Sequence, residues 1–227
     1  MLEFLKKNKW RALFMLILCT VIFLAIQHAL TPQKTLSVLQ PDQFDPTLVD
    51  DSMLFVKKYH KVAPFELINQ NGDTISQDDY TGKIYVADFF FTTCPTICPV
   101  MTKNMTVLQE EFKDDDEVFF LSHSVTPEYD TPEILKAYAQ EKGVLDYKWN
   151  LVTGEKEQIY DLARKSYLAV KDAPYGGKYD MVHTENFLLV DKEGRLRSRT
   201  YDGTKMEEIE ALIEDIYILK ASYNEED

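Results

Sequence analysis

Two cysteines with three residues between them, Cys94 and Cys98, interrupt the stretch DFFFTTCPTICPVMTKNM, residues 88–105. Each is followed by a proline. Such a pair can exchange electrons as a dithiol, clamp a soft metal, or close a static disulfide. Before it runs an apolar β-type segment, KIYVADFFF. After it, Val100, Met101, Met105, Leu108 and Phe112 recur at helical spacing. The pair therefore falls where a strand ends and a helix begins. Residues four apart share a helix face, and the positive end of a helix favours thiolate over thiol. A disulfide across three intervening residues removes little unfolded-state entropy, which makes a purely structural bridge a poor use of this position. Redox dithiols are usually spaced C-x-x-C, one residue shorter. Structural zinc needs four closed ligands. Copper(I) is soft and accepts two thiolates with one imidazole.

Four histidines are available. His28 lies at the end of the N-terminal apolar run. His60, in KKYHKVAP, reads as a surface residue among lysines. His123 ends a buried strand, FFLSHSV, and reads as a satisfied strand-end histidine that could approach the pair. His183, in YDMVHTENFLLVD, precedes a late strand, where thioredoxin folds place a proline opposite their cysteines. An imidazole there would face both thiols.

The elements that must position these groups alternate. PFELINQNGDTISQDD reads as a hairpin turning at Asn71-Gly72. KIYVADFFF and EVFFLSHSV read as buried central strands. DTPEILKAYAQEKG is a helix capped at Asp130 or Thr131, with Pro132 in its first turn and Gly143 at its end. KWNLVTG is a short strand, EKEQIYDLARKSY a helix, and NFLLVDKEGRLRSRTYDG a hairpin turning at Glu193-Gly194. KMEEIEALIEDIYILKAS is a closing amphipathic helix. The layout is α/β, with the cysteines at the strand ends where such sheets gather their sites. The segment DAPYGGKYD, just before His183, reads as a flexible arm that swings that histidine on and off a metal.

Of the 227 residues 45% are hydrophobic and 28% charged, ordinary globular proportions. The net charge of −13 leaves −16 beyond residue 30, because Lys6, Lys7, Lys9 and Arg11 outweigh Glu3 by +3 in the first thirty. So acidic a body repels phosphate backbones and excludes nucleic acid as a partner. Its carboxylates lie mostly on helix faces, and nothing suggests a hydrolase. The basic start and the apolar run Ala12–Ile26 predict a transmembrane anchor of roughly 20 residues. They place the chain in the inner, cytoplasmic membrane as a single pass, with its C-terminal domain in the periplasm or extracytoplasmic space. Residues 1–30 are then basic flank and anchor, 31–59 an extended linker rich in Pro, Asp, Gln and Thr, and 60–227 the domain.

FFFTTCPTICPVMTKNM, SVTPEYDTPEILKAYAQEKG and DMVHTENFLLVDKEGRL together resemble the SCO/SenC family of membrane-anchored, thioredoxin-like copper proteins. The resemblance covers roughly residues 60–220. It implies a thioredoxin-like fold, a central mixed sheet flanked by helices. It implies copper, as Cu(I) or Cu(II), held by Cys94, Cys98 and His183. It also implies a metallochaperone, not an enzyme, that delivers to the CuA domain of cytochrome c oxidase subunit II, from a copper donor left open. The alternative is a thiol-disulfide reductase that keeps the cysteines of subunit II reduced, with Cys94 attacking and Cys98 resolving. A redox or copper sensor is a third class. The family often carries Asp between the cysteines and before the loop proline. This chain has Thr96-Ile97 and Thr126 there.

Overall fold

The computed structural model describes residues 9–30, 35–43, 53, 55–169 and 184–224. Two compact units are formed, Met1–Thr35 and Leu36–Asp227.

In the first unit a helix, α1, runs Lys9–Leu30. The expected membrane anchor is corrected here: among the described residues no helix is long and apolar enough to cross a membrane. Lys9 and Arg11 occupy the first turn of α1. The membrane-anchored reading, its single-pass topology and its compartment fall with that anchor.

The second unit is a mixed α/β, thioredoxin-like fold. Seven strands make one sheet: β1 (Glu66–Asn69), β2 (Thr74–Ser76), β3 (Ile84–Phe90), β4 (Val118–Ser124), β5 (Trp149–Thr153), β6 (Asn186–Val190) and β7 (Leu196–Asp202). Their order is β2-β1-β5-β4-β3-β6-β7. The three central strands are parallel, with Phe90 opposite Ser124 and Ser122 opposite Leu151. The outer strands pair antiparallel. Every residue of β3 is buried, as its apolar run, interrupted only by Asp88, leads one to expect. Both predicted hairpins form, with Gly72 and Gly194 at positive φ in their turns.

Helices cover both faces. On one lie α2 (Cys98–Glu111), α3 (Pro132–Lys142) and α5 (Met206–Asn224). They bury Met101, Met105, Leu135, Ile209 and Leu212 against Ile84, Val86 and Phe120. The other face carries α4 (Lys156–Asp161), which widens into one π-helical turn over Leu162–Ser166 where a continuous α-helix was expected. Tyr85, Leu121 and Tyr167 pack there.

Part of the expected linker folds onto the sheet. The Ser198 N–H donates to Ser37 O and the Leu39 N–H to Leu196 O, each at 2.9 Å. Arg197 clasps this segment by donating to Leu36 O at 2.8 Å and to the buried Asp191 at 2.9 Å.

A close backbone approach holds the cysteine helix. Gly203 O accepts from Asn104 Nδ2 of α2 at 2.8 Å. A Cβ at Gly203 would stand 2.6 Å from the Phe187 ring. Gly203→Ala is expected to lower stability by about 1–3 kcal/mol through overpacking. Urea unfolding reads this, and an unchanged midpoint would show that the Phe187 ring yields without strain.

Candidate metal and redox site

The pair sits where the chain leaves β3. Cys98 opens α2, with Pro99 in the first turn, where a missing N–H costs no helical bond. Cys94 lies four residues earlier in the connecting turn, its N–H donating to Phe91 O at 3.3 Å. Both side chains are largely buried, Cys94 8% and Cys98 4% exposed. Both are free thiols.

Their acidities are driven apart. Burial pushes the Cys94 thiol up. The Cys98 and Thr96 backbone N–H groups, aided by the Cys98 thiol and the Thr96 hydroxyl 3.7 Å away, outweigh it and bring the pKa down to about 7. Cys98 goes the other way. Burial, the hydrogen bond to Cys94, and the charges of Cys94 and Asp88 push it up to about 12. One sulfur is a thiolate near neutral pH and its neighbour is the donor that stabilises it.

Within electrostatic reach of Cys98 lies Asp88 of β3. It is buried and accepts from the Ser122 hydroxyl, which in turn accepts from Trp149 Nε1 at 2.8 Å. Burial, only partly offset by Ser122, raises its pKa to about 7. Sequence reasoning passed over this residue. The signal was available: a lone carboxylate within YVADFFF must point into the protein from a strand with no exposed face.

A second carboxylate fixes the turn. Asp130 is buried and accepts from Thr92 Oγ1 at 2.5 Å, Thr92 N at 3.2 Å, Ser124 Oγ at 2.5 Å and Thr126 Oγ1 at 3.1 Å. The α3 cap is Thr131, whose side chain accepts from the Ile134 N–H.

His123 does not join the thiols. Ser122 and Ser124 point into the cysteine-side layer, so His123, between them, points to the opposite face. There it stacks on Phe89 at 4.8 Å and meets Phe65 and Tyr167 edge-on. Its Nδ1 lies 3.3 Å from Asp88 O, its Nε2 has no partner among the described residues, and burial lowers its pKa to about 4. His60 corrects the surface reading. It is buried, its Nε2 lies 2.8 Å from Ser166 O, and burial lowers its pKa. His183 and the segment DAPYGGKYD lie outside the described residues. Among the described residues no group of three or more His, Cys, Asp or Glu is placed to hold a metal. The two thiols alone form a soft donor set, suited to copper(I) and unsuited to a hard cation.

Comparison with known proteins agrees with this geometry. The SCO1 protein homolog of Bacillus subtilis is 35% identical over 159 residues, 69% of this chain and 81% of that protein. Two solved structures share the fold. One, of BsSco, a member of the Sco family of cytochrome c oxidase assembly proteins, identifies a disulfide switch. It has a TM-score of 0.57 and 34% identity, covering 69% of this chain and 92% of that one. Bradyrhizobium japonicum ScoI with copper bound has a TM-score of 0.54 and 30% identity, covering 69% and 99%. The SCO1/SenC profile matches residues 56–217, from the segment before β1 into α5, cysteine turn included, and the chain belongs to the SCO1/SenC family.

Proposed function

We propose that the domain is a copper chaperone for cytochrome c oxidase assembly. Cys94 and Cys98 bind copper(I), His183 is the third ligand, and delivery is to the CuA domain of subunit II. The observation that carries this reading is the pair of free thiols on the β3–α2 turn, one already favouring thiolate. Copper is cargo here. Cys94 presents an anion to the incoming ion, and Cys98 gives up its proton when it joins, so uptake releases protons. A partner's cysteines can then replace the two sulfurs one at a time, moving the ion without a change in oxidation state.

A thiol-disulfide reductase is the second reading, favoured by the opposed acidities. Cys94 thiolate attacks a partner disulfide, whose S–S bond breaks and releases one partner thiolate. Cys98 then attacks the mixed disulfide, its proton passing to the departing sulfur. A Cys94–Cys98 disulfide forms, and the partner gains two electrons.

Copper(I) titration of the reduced protein against a chromophoric chelator separates the two. One tight equivalent is expected, weakened more than tenfold by either Cys98→Ser or His183→Ala, since even outer-shell losses cost about 10–100-fold. Wild-type affinity in His183→Ala would remove the histidine from the ligand set. Absence of binding by the intact chain, with reduction of a subunit II peptide disulfide, would establish the second reading instead.

A further inference from the structure

We propose that Asp130 is the positioning residue of the cysteine turn. Its carboxylate locks the arm carrying Cys94 to the end of β4, so that both thiols are pre-set for copper(I). This rests on the copper reading above, and it assigns a role to a residue outside the proposed ligands.

Thr92 stands two residues before Cys94 and gives Asp130 two bonds, from its backbone N–H at 3.2 Å and its hydroxyl at 2.5 Å. Ser124, the last residue of β4, donates to the same carboxylate at 2.5 Å, and Thr126, beyond the strand, at 3.1 Å. Asp130 itself directly precedes the cap of α3. The arm before Cys94 and the β4–α3 connection, 38 positions away, thus meet on one fully buried carboxylate. Four donors, one of them a backbone N–H, exceed what a helix cap needs. The Thr126 hydroxyl completes the set at the position where the family often has Asp.

Loosening the arm lowers the effective concentration of one sulfur at the other, so two quantities must move together. One is copper(I) affinity. The other, in metal-free protein, is the equilibrium between the dithiol and the Cys94–Cys98 disulfide against glutathione. In Asp130→Ala both constants are expected to fall by about tenfold, the range of an outer-shell loss. Asp130→Asn can keep an oxygen towards Thr92 N, Ser124 and Thr126 while its amide donates to Thr92 Oγ1. It is expected to restore both constants to within about threefold of wild type. Thermal unfolding of the same proteins identifies a merely structural role, which would lower the midpoint and leave both constants unchanged.

Folded Asp130→Ala with wild-type constants overturns the proposal, as does Asp130→Asn behaving like Asp130→Ala. If Asp130→Ala does not fold, Thr92→Val decides. It removes one half-exposed hydroxyl and is expected to lower both constants about threefold, whereas no change overturns the proposal. Should wild-type protein bind no copper(I), the chaperone reading fails, and the glutathione equilibrium still judges Asp130.

Discussion

At pH 8, iodoacetamide is expected to label Cys94 of the reduced, metal-free protein about a hundredfold faster than Cys98. The thiolate is the reacting species. With acidities of about 7 and about 12, Cys94 is mostly ionised at that pH and Cys98 only to about one part in ten thousand. That contrast is about four decades. A more basic thiolate is intrinsically more nucleophilic, with a Brønsted slope near 0.4–0.5, and over five pKa units this returns about two decades. Ionisation still wins. The Cys94 rate should climb with pH up to about 7 and then level. In Cys98→Ser the bonds from the Cys98 thiol are altered, and the plateau should be reached at higher pH. Rates mapped to each cysteine by mass spectrometry check this. Equal rates would remove the basis for making Cys94 the attacking sulfur.

Replacing Asp88 by Asn should stabilise the protein above pH 7. Asp88 is fully buried in the folded state, and its pKa is raised to about 7, from roughly 3.9 in an unfolded chain. Between those values the folded protein keeps a proton that the unfolded chain has released. Stability from this group is therefore present in acid, declines from about pH 4 to pH 7, and is lost above that. A shift of about three units corresponds to at most about 4 kcal/mol, and relaxation around the charge reduces this to the order of 2 kcal/mol. Asn can still accept from the Ser122 hydroxyl, so the polar chain to Trp149 survives. Urea midpoints at pH 5 and pH 8 provide the test. Wild type should lose stability across that interval and Asp88→Asn should not; parallel behaviour of the two would show that the carboxylate is not titrating where its burial places it. The same charge helps keep Cys98 protonated, so the stability given up at Asp88 accompanies the division of labour between the two thiols.

The parts of the fold legible in the sequence were those written in local pattern. KIYVADFFF and EVFFLSHSV announced buried strands, Asn71-Gly72 and Glu193-Gly194 their hairpins, and Cys94 and Cys98 their strand-to-helix turn. What escaped was set by contacts between distant residues. Lysines around His60 suggested exposure, yet Ser166, 106 positions away, draws the imidazole inward. Asp130 was legible as a cap candidate, while its bonds to Thr92, 38 positions away, were not. The π-turn after α4 follows an ordinary helical period and leaves no local mark. The apolar run at the N-terminus had the composition of a span, yet among the described residues no helix is long and apolar enough to cross a membrane.

The clasp at Arg197 also bears on self-association. β7 is the last strand of the sheet, and an uncovered last strand is a template for pairing with another chain. Here Ser37 and Leu39 already occupy Ser198 N and Leu196 O at its start, and the opposite edge, β2, is only three residues long. Residues 37–39 therefore act as a short guard over the start of β7, from Leu196 to Ser198, and leave less of that edge to pair with a second copy.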